Sequence, residues 1–548
     1  MSSLSPTGHI DTFTRDHLPP PDQWPVLSFD REPAYPDRLN CAEDLLDGTI
    51  AAHGADRACL TGENESWTYG ELRDRVDRIA HVLAEETGLV PGQRVLLRGP
   101  NSPWTAACWL AVLKAGGVVV TVLPVLRAAE LATVLRSARV THALCDARFL
   151  DDLTTACADS AADLDAAPAV LAYGGTGADD LTVRTQRHPG PFTPVRVAAD
   201  DACMIAYTSG TTGAPKGCVH FHRDVLAIAD TYSEHVLRPT PDDVFTGSPP
   251  LGFTFGLGGL LIFPLRAGAS SILLERPRPE ALLDAISERG ATIVFTAPTA
   301  YRAMLARLDR GDRDGYDLSG LRRCVSAGEH LPAATWRAWY EATGVRMLDG
   351  IGATEMLHIF VSSSDDHLRP GSTGVPVPGF TAAVLDDDGR PVPDGEPGHL
   401  AIRGPVGCRY LADERQTAYV RHGWNFTGDT YVRDEDGYLW YRARSDDMIV
   451  SAGYNISPSE VEEALITAPE VEETAVVGVP DPERGQIARA YVVLREGTSP
   501  GDDTAARLKE HVRERISPYK TPRSIEFLAA LPRTATGKLQ RFKLREAP

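Results

Sequence analysis

Between Tyr207 and Gly217 the chain reads Tyr-Thr-Ser-Gly-Thr-Thr-Gly-Ala-Pro-Lys-Gly. Gly210, Gly213 and Gly217 admit positive φ, so successive backbone N–H groups can converge on an anion. Thr208, Ser209, Thr211 and Thr212 supply hydroxyls and Lys216 a mobile cation, which together make a phosphate cradle. The NTPase P-loop is the obvious rival, but it needs Gly-Lys-Ser/Thr opening a helix. Here Pro215 precedes Lys216, Gly217 follows it, and no hydroxyl stands where a magnesium ligand belongs. A plain Gly/Ser/Thr surface loop is the bland alternative. Further along come Asp349-Gly-Ile-Gly-Ala-Thr-Glu355, Thr427-Gly-Asp429, Arg444-Ser-Asp-Asp447 and Pro532-Arg-Thr-Ala-Thr-Gly-Lys538. They offer carboxylates, hydroxyls and a second lysine.

Such residues need a rigid carrier. From Cys41 onward strand and helix patterns alternate, through Trp67–Leu72, Arg94–Arg98, Val118–Val122 and Val140–Leu144, in the manner that builds a parallel sheet. Cys203–Tyr207 predicts the strand that delivers the glycine-rich loop at its C-terminal end. Stretches 291–297, 323–329 and 345–349 predict three more strands whose polar or glycine ends share one side, the edge where such sheets bind ligands. Leu251-Gly-Phe-Thr-Phe-Gly-Leu-Gly-Gly259 fails as a dinucleotide fingerprint because Leu261 occupies the third glycine position. It suits an apolar pocket wall or, equally, a helix-packing segment. The first forty residues predict an extended arm, and Asp151 to Asp200, acidic and rich in Ala and Gly, a surface excursion. From Pro370 to Tyr441 short strands punctuated by Gly, Pro and Asp predict a small antiparallel barrel. Beyond Asp447 a compact α+β unit follows, with helices over 458–466 and 504–516 and a strand over 487–494.

Taken in order, these motifs resemble those of the adenylate-forming superfamily: acyl-CoA synthetases, adenylation domains of peptide synthetases and luciferase-type enzymes. The resemblance implies an α/β large domain over 1–443, with two parallel-sheet lobes and a β-barrel at 370–441. A hinge at 444–447, centred on Asp446, would lead to a smaller mobile α+β C-terminal domain over 448–548. It also implies ATP, Mg2+ and coenzyme A. Ser209 to Lys216 would grip the pyrophosphate end of ATP, Thr354 the α-phosphate, and Glu355 the magnesium ion, a hard cation that takes oxygen ligands. Gly328, Glu329, Asp349, Gly350 and Ile351 would enclose adenine. Ile351 stands where many relatives carry an aromatic, so the base would pack on an aliphatic face. Asp429 would hold the ribose hydroxyls, and Arg444 a ribose or phosphate oxygen. Lys538 would be the catalytic lysine of adenylation. Ser451, Ala452 and Gly453 would line the pantetheine tunnel, and no cysteine is needed as nucleophile.

Within the superfamily, the stretches Asp349–Phe360, Val219–Asp224 and Asp11–Pro20 are similar to benzoate-CoA and 2-aminobenzoate-CoA ligases. That implies an aromatic acid seated against Phe253, Thr254, Phe255, Gly256, Ala327 and Gly352, with His358 and Ile359 closing the slot. His358 reads equally as a packed histidine. Thr254 either meets an ortho amino or hydroxyl group or fills space. Loading of a carrier protein in place of CoA, and luciferase-type oxygenation, are the rival fates of the adenylate.

At 548 residues the chain exceeds one hydrophobic core. Its formal charge of −20 argues against nucleic acid or an anionic membrane as partner. The nine cysteines show no metal-binding spacing and read as reduced, buried residues of a cytoplasmic enzyme. A homodimer is left open.

Overall fold

The computed structural model describes residues 4–28, 35–208, 215–309, 315–445, 447–451, 454–481, 484–516, 518–534 and 539–545. Two large sheets carry the α/β portion. The first has six strands in the order Ala169–Tyr173, His142–Asp146, Arg94–Arg98, Val118–Val122, Ala202–Tyr207 and Gly217–Phe221. All pairings are parallel except the last, which is antiparallel. Its central strands are apolar runs buried on both faces, as a helix-covered parallel sheet requires. The apolar run near residues 106–126 is accordingly a helix, Pro103–Lys114, followed by the buried strand Val118–Val122.

The second sheet has nine strands. Its parallel centre contains Ile293–Thr296, Arg323–Ser326 and Met347–Gly352, the three strands expected to end in a crevice. Ile359–Ser362 then returns antiparallel to Met347–Gly352, so the stretch between them is a hairpin turn.

The 151–200 stretch departs from expectation. It contains a helix, Leu150–Ser160, and the edge strand Ala169–Tyr173, so it contributes to the sheet. Two residues of that strand are exposed, which removes the apolar signal by which an inner strand is recognised. The arm lies on the body, as Ile10 and Asp11 N–H both donate to the Pro91 carbonyl, but it contains a helical turn, Phe13–Asp16.

The expected barrel is an antiparallel sheet. Thr381–Leu385, Pro397–Arg403 and Trp424–Arg433 pair in sequence, with Val420–Arg421 and Leu439–Arg444 both on the far side of Trp424–Arg433. Among the described residues Thr381–Leu385 does not pair with that far side, so no ring closes. The C-terminal unit is a separate sheet with helices Pro458–Ile466 and Asp502–Arg513, and it has its own buried core around Val461, Val476 and Leu508. Among the described residues no helix is long and apolar enough to cross a membrane.

Candidate active site

At the carboxyl end of Ala202–Tyr207 the chain doubles back, with Tyr207 opposite Gly217 and Thr208 N–H donating to the Lys216 carbonyl at 3.0 Å. The glycine-rich loop therefore hangs from a hairpin and does not open a helix, which separates it from a P-loop. Ser209, Gly210, Thr211 and Thr212 lie outside the described residues. Lys216 sets its ammonium 4.7 Å from the centre of the Tyr410 ring. The Tyr410 hydroxyl donates to Glu355 Oε1 at 2.5 Å, and Glu355 is only 8% exposed. Burial and the Glu355 charge drive the Tyr410 pKa far up, so the phenol stays a donor.

Thr354 and Glu355 occupy a single turn, Thr354–Met356, in the hairpin after Met347–Gly352. That turn is held from beneath. His220 Nε2 donates to the Thr354 carbonyl at 2.8 Å, His220 Nδ1 lies 3.8 Å from Asp224, and Asp224 binds Arg409 at 3.0 Å. All three side chains are buried, and the Arg409 guanidinium lies 3.9 Å over the Phe221 ring. Burial alone would raise the Asp224 pKa, but Arg409 and His220 together pull it below the usual carboxylate range. A carboxylate so paired fixes the histidine, and the histidine fixes the turn.

Asp349 lies on the strand leading into this turn, and burial pushes its carboxyl pKa well up against weaker opposition from the Gly350 N–H and the Ser326 hydroxyl. Gly350 is covered by Ile359, whose Cγ2 would stand 2.8 Å from a Cβ placed there. Ile351 is half-buried on the neighbouring core. Gly328 turns the chain after Arg323–Ser326 with φ +88°, a value that favours glycine. Glu329 beyond it is already engaged, accepting from Thr299 Oγ1 at 2.6 Å and from Arg533 Nη1 at 2.9 Å. Asp429 and Arg444 face each other across paired strands, Nη1 to Oδ1 3.2 Å.

The 251–267 stretch sets aromatic side chains around His358. Thr254–Leu257 opens a helical run that continues through Gly258–Ile262 to Phe263–Ala267. Phe255, Phe263 and Phe295 place their ring centres 5.6, 4.6 and 6.3 Å from that of His358. His358 is buried with no side-chain partner on either ring nitrogen, and burial, opposed only by the nearby Phe255 backbone, holds its pKa down to about 3. Thr254 and Ala327 are buried, Phe253 and Gly256 sit at the start of the run, and Gly352 backs directly onto the His358 carbonyl.

Lys538, Asp446, Ala452 and Gly453 lie outside the described residues. Their neighbours are placed. Arg533 and Leu539 bridge one another, and Arg533 reaches Glu329. Asp447 pairs with Arg545, and Ser451 is buried with Arg484 Nε 3.4 Å from its hydroxyl.

Sequence reasoning did not single out Tyr410, His220, Arg409, Phe263 or Phe295. Tyr410 follows no motif, and its partners come from positions 216 and 355. His220 and Asp224 lie in a segment recognised only by its likeness to benzoate ligases. An arginine at 409 inside the apolar stretch Val406–Leu411 was the available signal of a buried ion pair.

The AMP-binding enzyme family matches residues 47–410, and the AMP-binding enzyme C-terminal domain matches residues 460–538. A benzoate–CoA ligase from Thauera aromatica is 37% identical over 519 residues, 93% of this chain and 97% of that protein. A 3-hydroxybenzoate–CoA ligase from an Aromatoleum species is 32% identical, over 95% of this chain and 99% of its own. Among solved structures, an anthranilate CoA ligase in complex with anthranoyl-AMP superposes with a TM-score of 0.87 at 34% identity, covering 93% of this chain and 97% of its own. With the glycine-rich loop on its hairpin, the Thr354–Glu355 turn on its buried support and these matches end to end, the chain belongs to the AMP-binding enzymes of the adenylate-forming superfamily.

Proposed function

We propose that the protein joins an aromatic carboxylic acid to coenzyme A at the expense of ATP, with 2-aminobenzoate the favoured acid and benzoate or another ortho-substituted benzoate as alternatives. The carboxylate attacks the α-phosphorus and releases pyrophosphate. The CoA thiol then attacks the acyl carbonyl and releases AMP. Thr208, Ser209, Gly210, Thr211, Thr212 and Lys216 bind the β- and γ-phosphates, and Thr354 the α-phosphate. Gly328, Glu329, Asp349, Gly350 and Ile351 surround adenine, and Asp429 with Arg444 takes the ribose. Lys538 neutralises charge where the carboxylate oxygen meets phosphorus.

Magnesium fits this site. Glu355 is a buried carboxylate steadied on one oxygen by Tyr410, and a carboxylate plus substrate phosphates is the oxygen donor set that ion takes. When bound, it supplies neutralisation of phosphate charge. The protein's part is to hold Glu355 in place, and the His220–Asp224–Arg409 relay beneath Thr354 does so.

The observation that carries the aromatic reading is His358: a buried imidazole with no side-chain hydrogen-bond partner, boxed by Phe255, Phe263 and Phe295. Flat apolar walls suit a ring, and a polar atom with no side-chain partner suits an amino or hydroxyl substituent on it. Thr254, Gly256, Ala327, Gly352 and Ile359 complete the slot. CoA is favoured over a carrier protein because the relatives above are named as CoA ligases. Asp446 serves as the hinge between the two half-reactions, and Ser451, Ala452 and Gly453 admit the pantetheine arm. The test is a panel of benzoate, 2-aminobenzoate, salicylate, phenylacetate and acetate with ATP, Mg2+ and CoA, read by mass spectrometry of the thioester. Equal turnover of benzoate and 2-aminobenzoate removes the ortho preference, and acetate outpacing both overturns the aromatic reading.

A further inference from the structure

The helix Tyr69–His81 runs on through the wider-wound turn Val82–Glu86, which puts His81 and Glu85 four residues apart on one face. Over that face comes the segment after Thr185–Arg187, carrying His188. His81 Nδ1 lies 2.7 Å from Glu85 Oε1, and His188 Nδ1 lies 3.4 Å from Glu85 Oε2. One ligand atom from each residue falls within 4.8 Å of the other two.

The outer nitrogens decide what this arrangement is. His188 Nε2 is 2.6 Å from Glu86 Oε1, and Glu86 is itself held by Arg184. His81 Nε2 is 3.3 Å from the Pro191 carbonyl. Both contacts are to oxygens that only accept, so each Nε2–H can donate there while the Nδ1 of each ring faces Glu85. In that tautomer both Nδ1 lone pairs face the one Glu85 carboxylate, and two imidazole nitrogens with a carboxylate oxygen this close make a donor set for a single divalent cation.

We infer that His81, Glu85 and His188 form a surface site for a divalent transition-metal ion of the zinc type, which staples the 185–188 segment to the helix. Ligand atoms about 2.0–2.2 Å from zinc stand roughly 3.0–3.5 Å from one another, so the His188–Glu85 spacing already fits and the His81–Glu85 pair opens by a few tenths of an ångström. Two imidazoles and a carboxylate select such an ion over magnesium or calcium. Glu86 and the Pro191 carbonyl are the outer partners that fix ring tautomer and orientation at histidine-bound metals. The Glu85 side chain is 55% exposed, leaving water free to complete the coordination sphere. None of these residues belongs to the site assigned above.

Full-length protein without an affinity tag, stripped with chelator, is titrated with zinc chloride by calorimetry, and Co2+ absorption reports coordination. One equivalent is expected to bind the wild type and to raise its Tm. Binding and Tm shift are lost in His81→Ala and His188→Ala and weakened at least about tenfold in Glu85→Gln. ATP–pyrophosphate exchange and circular dichroism in these variants confirm that the fold persists. A second cluster, Cys41, Cys203 and His222, is fully buried and is the competing destination for zinc. Zinc binding that survives His188→Ala but disappears in Cys203→Ser overturns the surface assignment, as does the absence of any zinc-induced heat at millimolar concentration.

Discussion

Replacing Tyr410 by Phe keeps a ring under the Lys216 ammonium and deletes only the hydroxyl that donates to Glu355. A hydrogen bond to a buried charge is worth about 1.5–3 kcal/mol, so Tyr410→Phe is expected to lower kcat for ATP–pyrophosphate exchange by roughly 10- to 100-fold, with the Mg2+ requirement raised. An unchanged Mg2+ titration of that variant would refute the positioning role. His358 makes the second test at this scale. Its folded pKa of about 3 lies below the ordinary 6.5, so the unfolded chain takes up a proton first as the pH falls. Its contribution is therefore whole above about pH 6.5 and is lost progressively toward pH 3. Between pH 7 and 5 the loss is about 2 kcal/mol, at about 1.4 kcal/mol per pH unit below the unfolded pKa. His358→Leu, which removes the titrating ring, is expected to show that much less acid destabilisation in urea melts at the two pH values. Lys216 and Glu355 could be singled out because each stands in a run of neighbours that carries a motif. Tyr410 was not, since what it does depends on side chains 194 and 55 residues away that only the fold brings to it.

The helical run from Thr254 to Ala267 shows how an element sets the slot. A Cβ on Gly258 would stand 2.3 Å from His358 Cδ2, and one on Gly259 2.5 Å from the Phe295 ring, so the backbone lies directly against both aromatic groups. Gly258→Ala is expected to cost about 1–3 kcal/mol of stability through overpacking. It should also raise KM for the aromatic acid while leaving KM for ATP near wild type, because the displaced ring belongs to one slot and not the other. If both KM values rise together, the run does not serve the acid alone. The composition of this stretch left two readings open, and the structure shows a helical run whose bare backbone packs against His358 and Phe295, the arrangement the proposed slot requires. The strands of the central sheets were legible as unbroken apolar runs. Ala169–Tyr173 was not, because an edge strand with exposed residues carries half the pattern. The antiparallel unit at 370–441 announced its turns but not its closure, which depends on pairings far apart in sequence.

Across the whole molecule, the described contacts between the C-terminal unit and the large domain include hydroxyls of Ser457 and Ser459 on the Arg442 carbonyl and several ion pairs. Arg533 binds Glu329 at 2.9 Å and Glu473 at 3.2 Å, and His330 meets Glu463 at 2.5 Å while lying against Tyr441. Arg533 bridges Leu539, the residue after Lys538 in sequence, and the Arg533–Glu329 pair ties that point to a residue assigned to adenine. The proposed two-step reaction assigns the Arg533–Glu329 contact to adenylation and its breaking to the second half-reaction. Arg533→Ala is therefore expected to lower ATP–pyrophosphate exchange about tenfold, an activation cost of about 1.4 kcal/mol. Thioester formation from a synthetic aroyl-adenylate and CoA should stay within about twofold of wild type, by the same reckoning of rates. Lys538→Ala should carry the same asymmetry to its limit, abolishing exchange and sparing the thioester step. A removed structural prop would depress both halves alike, so an equal fall in the two rates of Arg533→Ala would show that the contact merely holds the domains together and does not select between their reactions.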